Sequence, residues 1–522
     1  MSEPLLKKVV RNSFYSSGGT FFAFLLAIVF AGYRIRILGV ERAGFLMLLE
    51  TLVASTATMG CLGISEAGMR RMAIHFGRNE TGGVRKTLAA MLVVNLIIGL
   101  IVLLAIPLFF DMIFRWSRLN PAYYEDARWA ALLASLAFAL RQAHDSYRQV
   151  FPALQRFDIT AYQRTAFGLL SGGLGLLVLT LFPNMTAASL LMAGLALLNL
   201  GVNMHLTRTL LGRHVWPAWS GSEMREMLRF SIWTYWGNLS KLLKNGLDRI
   251  ILTSLMGSAV LPFYVIGQRI IMQVHTLLAG QSEFIFPMFS VQRERHGDVI
   301  VRIEDRLRWV MALVSAILYG GMMVYAKPLL SHLISTEFAA ASITPFLLAC
   351  AQGFFLAQSI TVYRLSWAEG RALPNAVYEF ANGILVFSTS LLLAPSMGIM
   401  GVSLSQLWLS VTTLGLIYWV LRAGDRYSLA ALFRPFASPV LLIAIWFSGA
   451  ELVRHLLPGH ALAGLIINAA AGVIAVLAAL LFEHHLFGRF QCVSTLASVL
   501  RLLTQSLAGR LNRNRKRTMG IA

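Results

Sequence analysis

Asn238, Lys241, Lys244, Asn245, Asp248 and Arg249 interrupt one long apolar stretch of this chain. At about 100° per residue on a helix, Asn238, Lys241, Asn245 and Asp248 fall on one narrow stripe. Lys244 lies beside that stripe and Arg249 to one side. After a short turn, the next apolar segment adds Tyr264, Gln268, Arg269 and Gln273. A charged side chain at the centre of a bilayer costs about 2.5–3.5 kcal/mol on insertion scales, so four facing lipid would cost on the order of 10 kcal/mol. The stripe is therefore expected to face a hydrated cavity. Pairing of Asp248 with Lys244 or Arg249 inside the helix is the competing reading. Even then Lys241, Lys244, Arg249 and Arg269 outnumber Asp248, and an anionic ligand accounts for the surplus.

Further charges sit in other apolar segments. Arg141, Asp145 and Arg148 recur at i, i+4 and i+7, a spacing suited to receiving or gating a charged substrate at the cytoplasmic side. Arg364 is the matching residue in the second half of the chain. Snorkelling to the headgroups is the alternative for Arg148 and Arg364. Glu50 and Glu379 are the embedded carboxylates that a coupling H⁺ or Na⁺ would use; interhelical hydrogen bonding is the other reading. Trp233, Tyr235 and Trp236 form either a sugar-contacting face or an interfacial aromatic belt. Cys61, Cys350 and Cys492 are too far apart for a metal site or a disulfide framework, and no metal or other cofactor is expected.

The segments that carry these residues are membrane spans. The chain has 522 residues, 57% hydrophobic and only 13% charged, against about 25% charged in soluble proteins. Apolar runs such as Phe21–Tyr33 and Leu465–Phe482 recur throughout, the mark of an all-α polytopic membrane protein. About 14 spans are expected, near residues 14–35, 44–66, 87–110, 129–149, 162–182, 186–207, 228–256, 259–285, 307–328, 340–364, 375–395, 398–421, 436–453 and 461–485. The net charge of +21 follows the positive-inside bias rather than nucleic-acid binding. Arg70, Arg71, Arg78, Arg85 and Lys86 mark one cytoplasmic connection; Arg208, Arg213, Arg225 and Arg229 mark another; Arg422, Arg426 and Arg434 a third. Both termini then lie inside, and Arg510–Arg517 meets anionic lipid. Arg34 and Arg36 break this pattern on the outer side, which suits side chains turned into the bundle.

The two halves echo each other at an offset near 216, as Tyr147-Arg148 against Tyr363-Arg364 shows. Leu38-Gly39 before Gly44-Phe45 pairs with Met256-Gly257 before Pro262-Phe263, and Pro107-Leu108 with Pro328-Leu329. Six helices lie within one offset. The repeats are therefore parallel in the membrane, with a substrate path expected between them. The expected organisation is a six-helix bundle over 1–215, a second over 216–425, two additional helices over 426–490 and a basic cytoplasmic tail over 491–522.

The stretch ILGVERAGFLMLLETLVASTATMGCLGISEAGMRRMA (Ile37–Ala73) resembles the opening of Wzx-type polysaccharide flippases. LDRIILTSLMGSAVLPFYVIGQRI (Leu247–Ile270) and SMGIMGVSLSQLW (Ser396–Trp408) resemble two further motifs of that family. The resemblance covers roughly residues 10–425. It implies the fold of the MATE/MOP superfamily, a pair of six-helix bundles, in a bacterial inner membrane. It also implies flipping of an undecaprenyl-pyrophosphate-linked oligosaccharide to the periplasmic leaflet, for a surface polysaccharide such as O-antigen or exopolysaccharide. Polymerase and export machinery would be its partners. The two extra C-terminal spans depart from Wzx and are shared with lipid II flippases.

The rival readings are a multidrug or cation antiporter of the MATE type, whose cavity would be dominated by carboxylates, and a lipid II flippase. No Asp-x-Asp pair and no large loop suggests an enzyme. On this reading Lys241, Lys244, Asp248, Arg249, Arg269, Asn238, Gln268, Arg148 and Arg364 contact the substrate, and Glu50 and Glu379 serve coupling.

Overall fold

The computed structural model describes residues 3–60, 64–154, 156–211, 220–227, 240, 242–243, 246–282, 297–369, 371, 373–423, 432–456, 467–468 and 470–480. Those residues are helical almost throughout, with no strand among them. The helices used below are α1 (Glu3–Gly60), α2 (Ile64–Gly77), α3 (Thr81–Leu108), α4 (Phe110–Ser117), α5 (Tyr124–Arg148), α6 (Phe157–Leu181), α7 (Met185–Leu211), α8 (Leu247–Met256), α9 (Leu261–Gln281), α10 (Gly297–Ser315), α11 (Ala326–Leu333), α12 (Thr336–Ala368), α13 (Leu373–Met397), α14 (Ile399–Ser405), α15 (Trp408–Ala423) and α16 (Ala437–Leu456).

Among the described residues, eight helices are long and apolar enough to cross a membrane. Their outward faces suit lipid: Ile97, Ile101, Leu104 and Leu108 form one exposed apolar stripe on α3. Polar groups turn inward, as where Asn95 of α3 donates to Ser146 of α5 at 2.8 Å, both fully buried. The span expected near 14–35 and residues 44–60 of the next fall on the two arms of α1, joined at Gly39. About half of the span expected at 228–256 falls outside the described residues, as does about half of 461–485.

The chain forms two compact units. The first comprises Met1–Ser290 and Tyr325–Gly424, the second Val291–Val324 and Asp425–Ala522. In the second unit, α10 continues through a π-helical turn over Ala316–Gly320 and packs with α16. There the Trp309 indole donates to Ser438 at 2.9 Å and the Trp446 indole to the Asn468 carbonyl at 3.0 Å.

The internal repeat is written into the backbone. Gly39 (φ 78°, ψ 165°) and Gly257 (φ 86°, ψ 175°) adopt the same conformation at corresponding turns. Phe109 and Tyr325, 216 residues apart, break their helices at φ −96°, ψ 13° alike. The short helices that follow, α4 and α11, and the 25-residue helices α6 and α13 keep the same spacing.

The φ/ψ values of Gly39 and Gly257 lie in a region essentially closed to residues with a Cβ, at a cost of about 1–3 kcal/mol each. A Cβ on Gly257 would also stand 3.1 Å from the Ser117 carbonyl oxygen. Gly257→Ala is therefore expected to lower the melting temperature of the detergent-solubilised protein. A variant as stable as wild type would show that the turn tolerates the change.

A polar knot closes one end of the first unit. Arg71 of α2 makes a two-pronged bond to Glu223, with both distances 3.0 Å, and reaches Glu226 at 2.5 Å. His75 stands between Glu80 at 2.6 Å and Glu223 at 3.2 Å. Thr87 adds a bond to Glu223 at 3.3 Å. The helical residues 221–227, which lead into the second half of the chain, are thus pinned to the α2–α3 hairpin. Burial opposes ionisation of Glu223, but the Arg71 and His75 bonds outweigh it and hold its carboxyl below the usual carboxylate range. A depressed carboxylate stabilises the fold above its unfolded pKa, and that stability is lost as pH falls through the folded value. Glu223→Gln should thus melt below wild type at pH about 6, and the gap should close as pH falls below about 4. A gap that stays constant with pH would separate the knot from this titration.

Candidate functional site

The site begins with the bend at Gly39. It folds the two arms of α1 so that Arg34, 3% exposed, meets Glu50 sixteen residues later. Arg34 Nη1 donates to Glu50 Oε1 at 2.6 Å. Arg269 of α9 donates to the other oxygen of the same carboxylate. Arg249 of α8 points to the adjacent residue of α1, its Nη1 3.5 Å from Thr51 Oγ1. Three helical segments distant in sequence thus bring three guanidiniums and one carboxylate to one wall.

That wall bounds a cavity of about 940 Å³. Arg34, Arg141, Arg249 and Arg269 line it, against Glu50 and Asp145. Four positive charges against two negative leave the cavity cationic. Arg269, Gln273 and Thr276 present one face of α9 to it, at i, i+4 and i+7. Arg34 Nε and Nη2 and Arg249 Nε are buried with no acceptor among the described residues. Buried guanidinium donors of this kind suit an anionic oxygen, which accepts short, charge-assisted bonds.

A smaller lobe of about 350 Å³ adjoins, sharing Arg34, Glu50, Arg141 and Asp145 with the larger cavity. It lies among α5, α6 and α7. Arg148 lines it and is bonded to Asp145 at 3.0 Å. Arg164 of α6 lines it too.

The residues singled out from the sequence separate accordingly. Arg249 and Arg269 line the larger cavity, Arg148 the smaller lobe and Glu50 both. Asp248 does not line either cavity. It is 2% exposed, accepts the Tyr264 hydroxyl at 2.6 Å and Gln406 Nε2 at 3.3 Å, and receives the Arg249 backbone N–H at 2.8 Å. Its bonds tie α8 to α9 and to the turn between α14 and α15. Gln268 donates to Gln352 of α12 at 3.0 Å. Arg364 stands over the Trp367 ring at 5.9 Å. Glu379 is half-buried on α13, away from both cavity linings. Asn238, Lys241 and Lys244 lie outside the described residues.

Arg34 is the principal cavity residue that a reading of spans alone understates. Its signal was the breach of the charge rule on the outer side; of that pair Arg34 turns inward, while Arg36 is exposed. Arg164 gave no signal, because an arginine near the start of a span reads as a headgroup anchor.

The profile of the polysaccharide biosynthesis protein family matches residues 9–292. No curated protein matches the sequence significantly. Among solved structures, the lipid II flippase MurJ in an inward closed conformation aligns with TM-score 0.71 at 10% identity, covering 90% of this chain and 99% of that one. An inward-facing multidrug resistance MATE family transporter of the MOP superfamily gives 0.62 at 13%, covering 79% and 96%. A MOP superfamily transporter from Pyrococcus furiosus, whose reverse polarity of the binding pocket is taken to suggest a different function, gives 0.53 at 14%, covering 81% and 96%. At these identities the likeness is one of fold: the all-α membrane fold of the MOP superfamily.

Proposed function

The chain belongs to the polysaccharide biosynthesis protein family, and from that premise we propose that it flips an undecaprenyl-pyrophosphate-linked oligosaccharide across the bacterial cytoplasmic membrane. The observation that carries this reading is the cationic wall of Arg34, Arg249 and Arg269, with buried guanidinium donors left for an anionic oxygen. A pyrophosphate offers several such oxygens. A drug cation would meet the wrong sign of charge.

In this mechanism the polyprenyl tail stays in lipid while the pyrophosphate enters the cavity and the glycan occupies its lumen. Two parallel bundles, over 1–215 and 216–425, rock about the site to open it to each side in turn. The two additional spans over 426–490 and the tail over 491–522 are not part of the repeat. Both termini are cytoplasmic and the full set is 14 spans. Lys241, Lys244 and Asn238, which precede Arg249 in the sequence, are the further residues proposed to contact the substrate.

Glu50 gives the cycle a switch. It holds Arg34 and Arg269 while the substrate is away. The pyrophosphate competes with it for the same two guanidiniums. Once the anion has drawn both guanidiniums away, Glu50 is free to take a proton or other cation, and on losing it the carboxylate reclaims them and helps expel the anion. This reading makes Glu50 a coupling group as well as a counter-ion; Glu379 is the second candidate. Polymerase and export machinery would take the product on the far side.

The test is a leaflet-specific assay in proteoliposomes. Wild-type protein should move an undecaprenyl-pyrophosphate oligosaccharide from one leaflet to the other, with inorganic pyrophosphate competing for binding. Translocation no faster than in protein-free vesicles would remove the proposal.

A further inference from the structure

The smaller lobe has a chemistry of its own. Three helix faces converge on it: Arg141 and Asp145 from α5, Thr160, Gln163 and Arg164 from α6, and Asn199 from α7. Hydroxyls and amides of this kind bond sugar hydroxyls, and Phe30 and Phe167 give flat apolar walls for a sugar ring. Thr160 Oγ1 and Gln163 Nε2 are buried with no partner among the described residues. Neutral sugars would need nothing more.

The charges ask for more. Arg34 is held by Glu50 and Arg148 by Asp145. Arg141 and Arg164 line the same lobe, and neither makes an ion pair with another described residue. Two guanidinium forks with no ion-pair partner among the described residues, beside a set of sugar-bonding groups, match a carboxylate carried on a sugar.

We propose that this lobe receives the glycan and that Arg141 and Arg164 select an acidic sugar, such as a uronic acid, close to the pyrophosphate. The proposal rests on the flippase reading and adds the substrate class. The adjoining wall of Arg34, Arg249 and Arg269 takes the pyrophosphate of any lipid-linked glycan. The lobe discriminates between glycans.

The experiment uses full-length protein in nanodiscs and two synthetic undecaprenyl-pyrophosphate disaccharides, alike except that the second sugar is glucuronic acid in one and glucose in the other. Wild type should bind the acidic compound at least tenfold more tightly, about 1.4 kcal/mol. Arg164→Gln, which touches only the lobe, should cut that ratio at least threefold while binding of the glucose compound stays within about twofold, which also reports an intact fold. Arg164→Lys should restore part of it, since lysine keeps the charge but loses the fork. Equal binding of both compounds by wild type, or an undiminished preference in the glutamine variant, would overturn the acidic-sugar assignment while leaving the flippase reading standing. If wild type binds neither compound, the flippase reading fails and the assignment falls with it.

Discussion

Arg249→Gln combined with Arg269→Gln is expected to slow translocation of the lipid-linked oligosaccharide by roughly 10²–10⁴-fold, because each charge-assisted hydrogen bond to the pyrophosphate contributes about 1.5–3 kcal/mol. The pair is chosen so that Glu50 keeps a partner in Arg34. Arg249 holds no carboxylate with its side chain in the described structure, only a long contact to Thr51. The variant should still elute as a monodisperse species from detergent. The check is the leaflet assay, with Arg269→Lys alongside. Lysine keeps the positive charge but loses the planar fork, so it should recover a fraction of the rate. Translocation within threefold of wild type in the double glutamine variant would show that these guanidiniums do not hold the anion.

Glu50→Gln should have a large effect of a different kind. It leaves two guanidiniums without the carboxylate they share, and Arg34 is almost wholly buried. Breaking such a pair costs up to about 3–5 kcal/mol when the remaining charge stays buried. The unliganded variant should therefore melt well below wild type. Inorganic pyrophosphate should recover most of that loss, because it fills the place the carboxylate left, and should raise the melting temperature of wild type much less. Net transport should fall, since nothing remains to compete the anion out of the site. If pyrophosphate stabilised both proteins equally, Glu50 would be a structural partner of the arginines and not their exchangeable counter-ion.

The distribution of charge distinguishes this cavity from one built for cations. Two carboxylates face four guanidiniums, and Glu50 is already engaged by two of them. The same arrangement explains why an arginine survives at Arg34. A membrane-embedded guanidinium is costly alone, and here Glu50 pairs with it; in the proposed mechanism the anion takes that place during transport. Arg71 fills a structural role by the same device. It clamps Glu223 and Glu226 beside the hairpin that starts α3.

Much of the architecture was legible in the residues. Apolar runs of span length, repeated through the chain, impose helices because a lipid-exposed backbone must satisfy its own hydrogen bonds. The parallel repeat was legible in Gly39 against Gly257, since only glycine holds φ near +80° with ψ near 170°. That Arg249 and Arg269 are too costly to leave in lipid followed from composition alone. What the residues did not reveal is which neighbour each helix face meets. Gln268 and Arg269 are adjacent in sequence, yet one bonds Gln352 while the other joins Glu50 at the cavity. Asp248 falls on the same stripe of the sequence as Lys241, and it is turned into the contact with Tyr264 and Gln406 instead. Helical periodicity fixes angles about one axis. The bend at Gly39, which sets Arg34 beside Glu50 and both beside α9, is a matter of how axes cross, and only the packed tertiary structure decides that.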